Sequence, residues 1–384
     1  MWVTRSLAVC SLLVSAVLGS APTLASSSAS PSASPSASSS TQNAQEKRYA
    51  ILDNDWGAVS FIPILLALKG DMEILGLASN TANTWQRQSA LHALANLELS
   101  NLTCIPVYPG STWPLLHTPH RFHTWEALHG VLPWQGAFAP EAQDGNDPTS
   151  GDPNRIVREA FIEGFPRGSI DSSTSAASFM VDMVRKYPGQ VSIYSAGALT
   201  NVALAVRLDE NFARNARELV VMGGYVDVNL LQVRGDVELA NENSDINLMI
   251  DPESAKIALN APFPEVVIAG NVANQVPSTQ DFLDEVHEVR NPLTNLFHDR
   301  YGTEFPFWDE TAAAIMVDRG VVLNSTTAYI DVDIAYGSPK YGNIHVYQKA
   351  LMPPGLRNVT YVHRVDGERV KGLMKDAMQD PPSC

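Results

Sequence analysis

A chain of 384 residues with 26 lysines and arginines against 41 aspartates and glutamates carries a net charge of −15, and no basic stripe runs through it. That balance excludes the electrostatic footprint of a DNA- or RNA-binding protein. Hydrophobic residues make up 45% of the chain, enough for a sizeable core in one large domain or two ordinary ones.

The N-terminus reads as a processing signal. Arg5 precedes an apolar run from Leu7 to Leu18, and the small residues Gly19, Ala21 and Ala25 suit a signal peptidase, so residues 1–25 are expected to be a signal peptide and the mature chain to be secreted. The apolar run is too short to span a bilayer comfortably, and no later segment approaches that length; no membrane partner is expected. Ser26–Thr41 (SSSASPSASPSASSST) cannot bury apolar surface, which makes 26–47 a disordered linker and leaves 48–384 as the folded domain. Cys10 departs with the leader. Cys104 and Cys384 remain, free to pair or not as geometry decides. Asn101, Asn324 and Asn358 begin glycosylation sequons, consistent with a secreted glycoprotein.

From Tyr49 onward, strand-like runs alternate with helical stretches. Tyr49–Ser60 (YAILDNDWGAVS) is an apolar run ending in Asp53-Asn54-Asp55 and broken at Trp56-Gly57, the pattern of a buried strand delivering carboxylates to its C-terminal end. Met72–Ala78 is a second strand, ending in Ser79, Asn80 and Asn83, and Thr84–Leu99 a helix. Ile105–Tyr108, Val191–Tyr194, Leu219–Met222 and Val266–Ala269 are further strands with polar or glycine ends, and Thr200–Leu208 is a helix. Strand, polar end, helix, strand is the signature of βαβ units, so the fold class is α/β: a mostly parallel central sheet flanked by helices, with ligands at the strands' C-terminal edge.

Between about Leu116 and Ser172 the pattern dissolves into His, Trp, Pro, Asp and Gly, an irregular insertion of the kind that forms lids and binding loops. Asp144-Gly145-Asn146-Asp147 fails as a calcium loop, because Pro148 occupies a ligand position and no glutamate closes it. His117, His120 and His123 are spaced three apart, but Pro119 interrupts them and no cysteine lies near, which favours surface or loop histidines over a zinc site. Asp251-Pro252-Glu253 reads as a helix start, and Asn201 as a residue that ties down its turn.

Several of these segments, in the same order along Arg48–Asp380, resemble the inosine/uridine-preferring nucleoside hydrolases. The first strand of that family ends in Asp-x-Asp-x-x-x-Asp-Asp. Asp53 and Asp55 match its first two acids; Val59 and Ser60 stand where the last two are expected. Ser195-Ala196-Gly197-Ala198-Leu199-Thr200-Asn201 resembles the glycine, Leu-Thr-Asn turn of the family. Val221-Met222-Gly223-Gly224-Tyr225 with Asn229 resembles its Met-Gly-Gly strand end and sugar-binding asparagine. Asp245-Ile246-Asn247 before Asp251-Pro252-Glu253 resembles its Glu-Phe-Asn segment, and Trp308-Asp309 takes the place of a His-Asp pair.

The resemblance implies a nucleoside hydrolase-like fold and a small-molecule nucleoside as partner. It implies Asp55 as general base and metal ligand, with Asp309 and the Ala196 carbonyl as further ligands to Ca²⁺. Asn83, His129, Asn229, Asp245, Asn247 and Trp308 are implied around the substrate, with Trp308 stacking on a purine or other base where the family has a histidine. Breaking a ribosyl C–N bond requires a stabilised oxocarbenium-like sugar, a deprotonated water and a departing base, which is why carboxylates and a hard cation suit it. Replacing two acids by Val59 and Ser60 removes two negative charges, so the calcium site is expected to be weakened, rebuilt with Asp53, Ser60, Asp245 or Glu310, or absent. Such enzymes are often dimeric or tetrameric, which implies a homo-oligomer, though no self-association surface is legible.

Three readings follow: a secreted N-glycosidase acting on nucleosides, a noncatalytic secreted protein that binds a nucleoside or sugar, and a phosphatase or glycosyltransferase carboxylate motif. Trp56-Gly57 fits the third poorly.

Overall fold

The computed structural model describes residues 47–140, 150–226 and 245–384. Asn229 and the Asp144–Asp147 run lie outside these residues.

The uninterrupted apolar run of the first strand, β1 (Arg48–Asn54), follows from burial on both faces. Tyr49 and Ile51 join one hydrophobic cluster, whereas Ala50 and Leu52 join the cluster on the opposite side. The sheet continues with β2 (Met72–Ser79), β3 (Val107–Tyr108), β4 (Val191–Ala196), β5 (Glu218–Met222) and β6 (Val266–Ala269). It is completed by β7 (Val322–Val332), β8 (Ile344–Tyr347) and β9 (Asn358–Val365). The nine strands lie in the order β3-β2-β1-β4-β5-β6-β9-β7-β8. Pairing is parallel from β3 through to β9, and β7 and β8 add an antiparallel edge. Residues Glu46–Cys384 form one compact unit.

The chain leaves β1 in one direction toward β2 and β3 and later returns to its other side as β4. That reversal opens a crevice beyond the carboxyl ends of the strands. The register places Asp53 opposite Ala78 and Ser195, and Asn54 opposite Ser79 and Ala196. The acid-bearing end of β1 therefore sits at the switch point.

Sequence periodicity located β1 to β6 to within about two residues but missed β9, the remaining parallel strand. The helix expected from Thr84 begins at Gln86, after an extended Trp85. The insertion, expected to be irregular, contains a helix at Pro119–His129. Pro119 begins this helix instead of interrupting it: proline at the first helical position loses no hydrogen bond, and the Thr118 side chain caps the turn by accepting from the Arg121 N–H at 3.2 Å. The three histidines do not converge. His117 is buried and donates from Nδ1 to the Met249 carbonyl at 2.8 Å, while His123 donates to Glu126 at 3.0 Å. Asp251 caps the helix Pro252–Leu259, as its sequence context implied. Cys104 and Cys384 are joined in a disulfide with Cα atoms 6.0 Å apart, tying the turn after the Gln86–Leu99 helix to the end of the chain. No helix among the described residues is long and apolar enough to cross a membrane.

Candidate active site

Asp53 is fully buried at the end of β1 and accepts hydrogen bonds on Oδ1 from the side-chain amides of Asn80 (3.1 Å) and Asn201 (2.9 Å). Asn201 also donates to the Ser79 carbonyl at 3.0 Å and accepts from the Ser111 N–H at 2.8 Å, so it clamps the ends of three neighbouring loops. Burial raises the Asp53 carboxyl to about 7, against these two hydrogen bonds. Asp53 thus braces the strand ends and does not line the crevice.

Asp55, two residues on, is also buried. Its Oδ2 accepts from the Asn83 backbone N–H at 2.6 Å, and its own N–H points to the Asn54 side chain (2.8 Å) and the Ala196 carbonyl (3.4 Å). Asn54 Nδ2 donates to Asp309 Oδ2 at 3.1 Å, so the residue between the two acids of β1 links Asp55 to Asp309. Burial and the Asp309 charge push the Asp55 carboxyl well above the usual carboxylate range. Burial raises Asp309 as well, against the hydrogen bond from Asn54. Two carboxylates this close and this dry do not both ionise readily, and the pair favours holding a proton between them.

A cavity of about 210 Å³ opens above this pair. Asn83, Asp245, Asn247, Trp308 and Asp309 line it, joined by Trp134, Tyr225, Asn274 and Phe305. Trp308 begins the helix Trp308–Val317 and is fixed by its indole N–H, which donates to Asn274 Oδ1 at 2.7 Å. Phe305 bridges the two tryptophans, with its ring centroid 5.5 Å from Trp308 and 6.2 Å from Trp134. Trp134 in turn donates from Nε1 to Asn83 Oδ1 at 2.5 Å. Asn247 donates to the Met222 carbonyl at 3.1 Å, leaving its own carbonyl oxygen for a ligand. Asp245 lines the same wall but also accepts from the Gly224 N–H (2.5 Å) and caps its own helix by accepting from Leu248 (3.1 Å).

The crevice therefore gathers Asn83, Asp245, Asn247, Trp308 and Asp309; Asp55 does not line it but is tied to it through the Asn83 N–H and, by way of Asn54, to Asp309. It does not gather His129, which ends its helix with its ring 5.3 Å from Trp125; Trp134, five residues later, takes the position by the pocket. Trp134, Asn274 and Phe305 were not singled out by the sequence. The strand-end rule applied to β6 points to Asn271, three residues short of Asn274, and Trp134 and Phe305 sit in segments without periodicity.

The donor set does not fit a calcium ion of the kind the resemblance implies. Ser60 Oγ accepts from the Gly57 N–H at 3.0 Å and supplies a neutral oxygen where a carboxylate is expected. One oxygen of Asp55 and one of Asp309 are engaged by Asn83 and Asn54, and the Ala196 carbonyl faces the Asp55 N–H. Two carboxylates fall short of the six to eight oxygens and the charge that Ca²⁺ favours. Among the described residues no group of three or more His, Cys, Asp or Glu is arranged to hold a metal. The loop keeps one trace of an acidic motif: Val59 has φ 63°, a left-handed conformation costly for a β-branched side chain and easier for Asp or Asn.

A family model described as inosine-uridine preferring nucleoside hydrolase matches residues 50–372. An uncharacterized protein of Schizosaccharomyces pombe is 35% identical over 318 residues, covering 79% of this chain and 77% of its own. A probable uridine nucleosidase of Oryza sativa subsp. japonica is 31% identical over 242 residues; this chain spans 63% of its length, and the match covers 63% of this chain. Among solved structures, a plant nucleoside hydrolase superposes with a TM-score of 0.65 at 23% identity, covering 87% of this chain and 99% of that one. A purine-preferring ribonucleoside hydrolase from Gardnerella vaginalis gives 0.64 at 20% identity, covering 86% and 98%.

Proposed function

The chain belongs to the inosine-uridine preferring nucleoside hydrolase family, and we propose that it is a secreted N-glycosidase that hydrolyses the N-ribosidic bond of nucleosides without a family-type calcium site. The observation that carries this reading is the buried Asp55–Asp309 pair beneath a cavity walled by aromatic rings and edged by asparagines. The asparagines and Asp245 suit ribose hydroxyls, and the Trp134–Phe305–Trp308 wall suits a flat base, the larger purines best.

In this mechanism the sugar lies over Asp309 and Asn247 with its base against the aromatic wall. As the C–N bond lengthens, Asp55, ionised while Asp309 keeps the pair's one proton, stabilises the oxocarbenium-like sugar in a site shielded from water. Asp55, oriented by the Asn83 N–H, takes the proton of the attacking water. Tyr225 lines the cavity and is kept protonated by burial, which makes it a candidate hydrogen-bond donor to the departing base where Trp308 replaces a histidine.

The signal-peptide reading and the Cys104–Cys384 disulfide support secretion. Asn101, Asn324 and Asn358 are all exposed and suit glycosylation on that route. A homo-oligomer is part of the same proposal. The loss of acids at Val59 and Ser60 favours one other reading, a noncatalytic nucleoside- or sugar-binding protein.

Base release from inosine, guanosine, adenosine and uridine by the purified mature chain decides between them. The enzyme reading expects turnover, fastest with purines, and a loss of purine preference in Trp308→Ala. Tight nucleoside binding without base release from any substrate would establish the binding reading instead.

A further inference from the structure

A second cavity, about 280 Å³, adjoins the nucleoside cavity and shares Asn83, Phe305, Trp308 and Asp309 with it. Ala58 and Ser60 contribute small side chains to its wall. Hydrolysis needs room for one water, which takes only about 15 Å³ of cavity. The chamber is far larger than that task demands. Its walls combine ring and aliphatic faces (Phe305, Ile162) with the Ser60 hydroxyl and the Arg300 guanidinium, a mixture that suits a small polyol. Tyr301, also on this wall, donates its hydroxyl to Glu310 at 3.0 Å and packs its ring against Phe297 and Phe307.

Resting on the N-glycosidase reading above, we propose a further activity: ribosyl transfer to a small polyol seated in this second chamber. The acceptor hydroxyl attacks the anomeric carbon as the C–N bond breaks. The new C–O bond forms, the C–N electron pair leaves with the base, and the acceptor's proton passes to the carboxylate pair. A proton returned from the protein or solvent neutralises the base. The sum is nucleoside plus alcohol giving ribosyl glycoside plus free base, with no oxidant, reductant or further reactant. Water and acceptor compete for the same electrophilic carbon, and a held acceptor has a raised effective concentration there.

The test incubates the mature chain with inosine and glycerol, and measures hypoxanthine, free ribose and ribosyl glycerol by chromatography with mass detection. The expected result is a glycoside-to-ribose ratio at least about tenfold above the molar ratio of glycerol to water, the signature of a binding site for the acceptor. Ile162→Trp, which narrows the chamber without touching the nucleoside cavity, should return the product ratio toward the solvent ratio while hypoxanthine release continues at the same rate. Free ribose equal to hypoxanthine at every glycerol concentration would overturn the transfer proposal and leave the hydrolase reading intact. A glycoside ratio unaffected by Ile162→Trp would overturn the assignment of the acceptor to this chamber. Absence of hypoxanthine release would overturn the hydrolase reading, and transfer with it.

Discussion

Restoring one carboxylate at residue 60 probes the metal question directly. In Ser60→Asp the new side chain replaces a hydroxyl whose present engagement is the 3.0 Å hydrogen bond from the Gly57 N–H, an interaction of about 1 kcal/mol that an aspartate oxygen also accepts. The larger effect is electrostatic. A third carboxylate joins Asp55 and Asp309, both already raised by burial, so without a cation the variant is expected to lose stability as the pH rises and the cluster ionises. Calcium reverses the sign. At a free concentration about 100 times the dissociation constant, binding adds about 2.7 kcal/mol to the folded state. For a chain of this length that amounts to a Tm increase of roughly 3–4 °C. Thermal unfolding of wild type and variant in calcium and in chelator reads this out. The expected pattern is a calcium-dependent rise in Ser60→Asp and none in wild type. An equal rise in wild type would refute the argument from the donor set. A folded variant that ignores calcium would show that residues 55, 60 and 309 do not converge on one cation.

Two other outcomes follow from the buried polar groups. Asn201→Leu strips partners from Asp53 Oδ1, the Ser79 carbonyl and the Ser111 N–H, each buried or partly so, and should destabilise the chain by roughly 3–5 kcal/mol in denaturant titration; a change below about 1 kcal/mol would contradict the bracing role. Burial raises Asp251 to about 6, Asp53 to about 7 and Glu310 to about 8. These folded-state values lie above the unfolded ones, so their contribution to stability is complete below about pH 4 and is lost as the pH climbs through 6 to 8. Asp251 alone accounts for about 3 kcal/mol of that loss. His117, lowered by burial to about 4, works in the opposite direction between its folded and unfolded values but is a single group. Unfolding midpoints should therefore be higher at pH 5 than at pH 8, and the reverse order would refute the assignment.

How much of this was legible in the sequence depended on whether local pattern or distant packing fixed the feature. β1, β4, β5 and β6 were legible because each is buried on both faces and ends in glycine or a polar residue, as β1 does at Asp53-Asn54-Asp55, whereas the parallel β9, exposed at Asn358 and Arg364, was missed. The bracing role of Asn201 and the capping role of Asp251 were legible because each sits at a helix start. Trp134 was not, since its place by the cavity depends on the path of the chain after the Pro119–His129 helix, which no periodicity reports. His129 shows the cost of carrying a role over by position: the insertion keeps a His-Gly but turns the histidine onto Trp125. The bridge by Asn54 was hidden for another reason. Its side chain reaches Asp309, 255 residues away, and only the fold brings them together.

The central claim is that the Asp55–Asp309 pair cleaves nucleosides without calcium, and base release from inosine measures it most directly. Wild type, Asp55→Asn and Asp309→Asn should be compared with calcium and with chelator. Wild-type turnover should be the same in both buffers and fall by at least about a hundredfold in Asp55→Asn. Turnover abolished by chelator, or undiminished in Asp55→Asn, would contradict the claim.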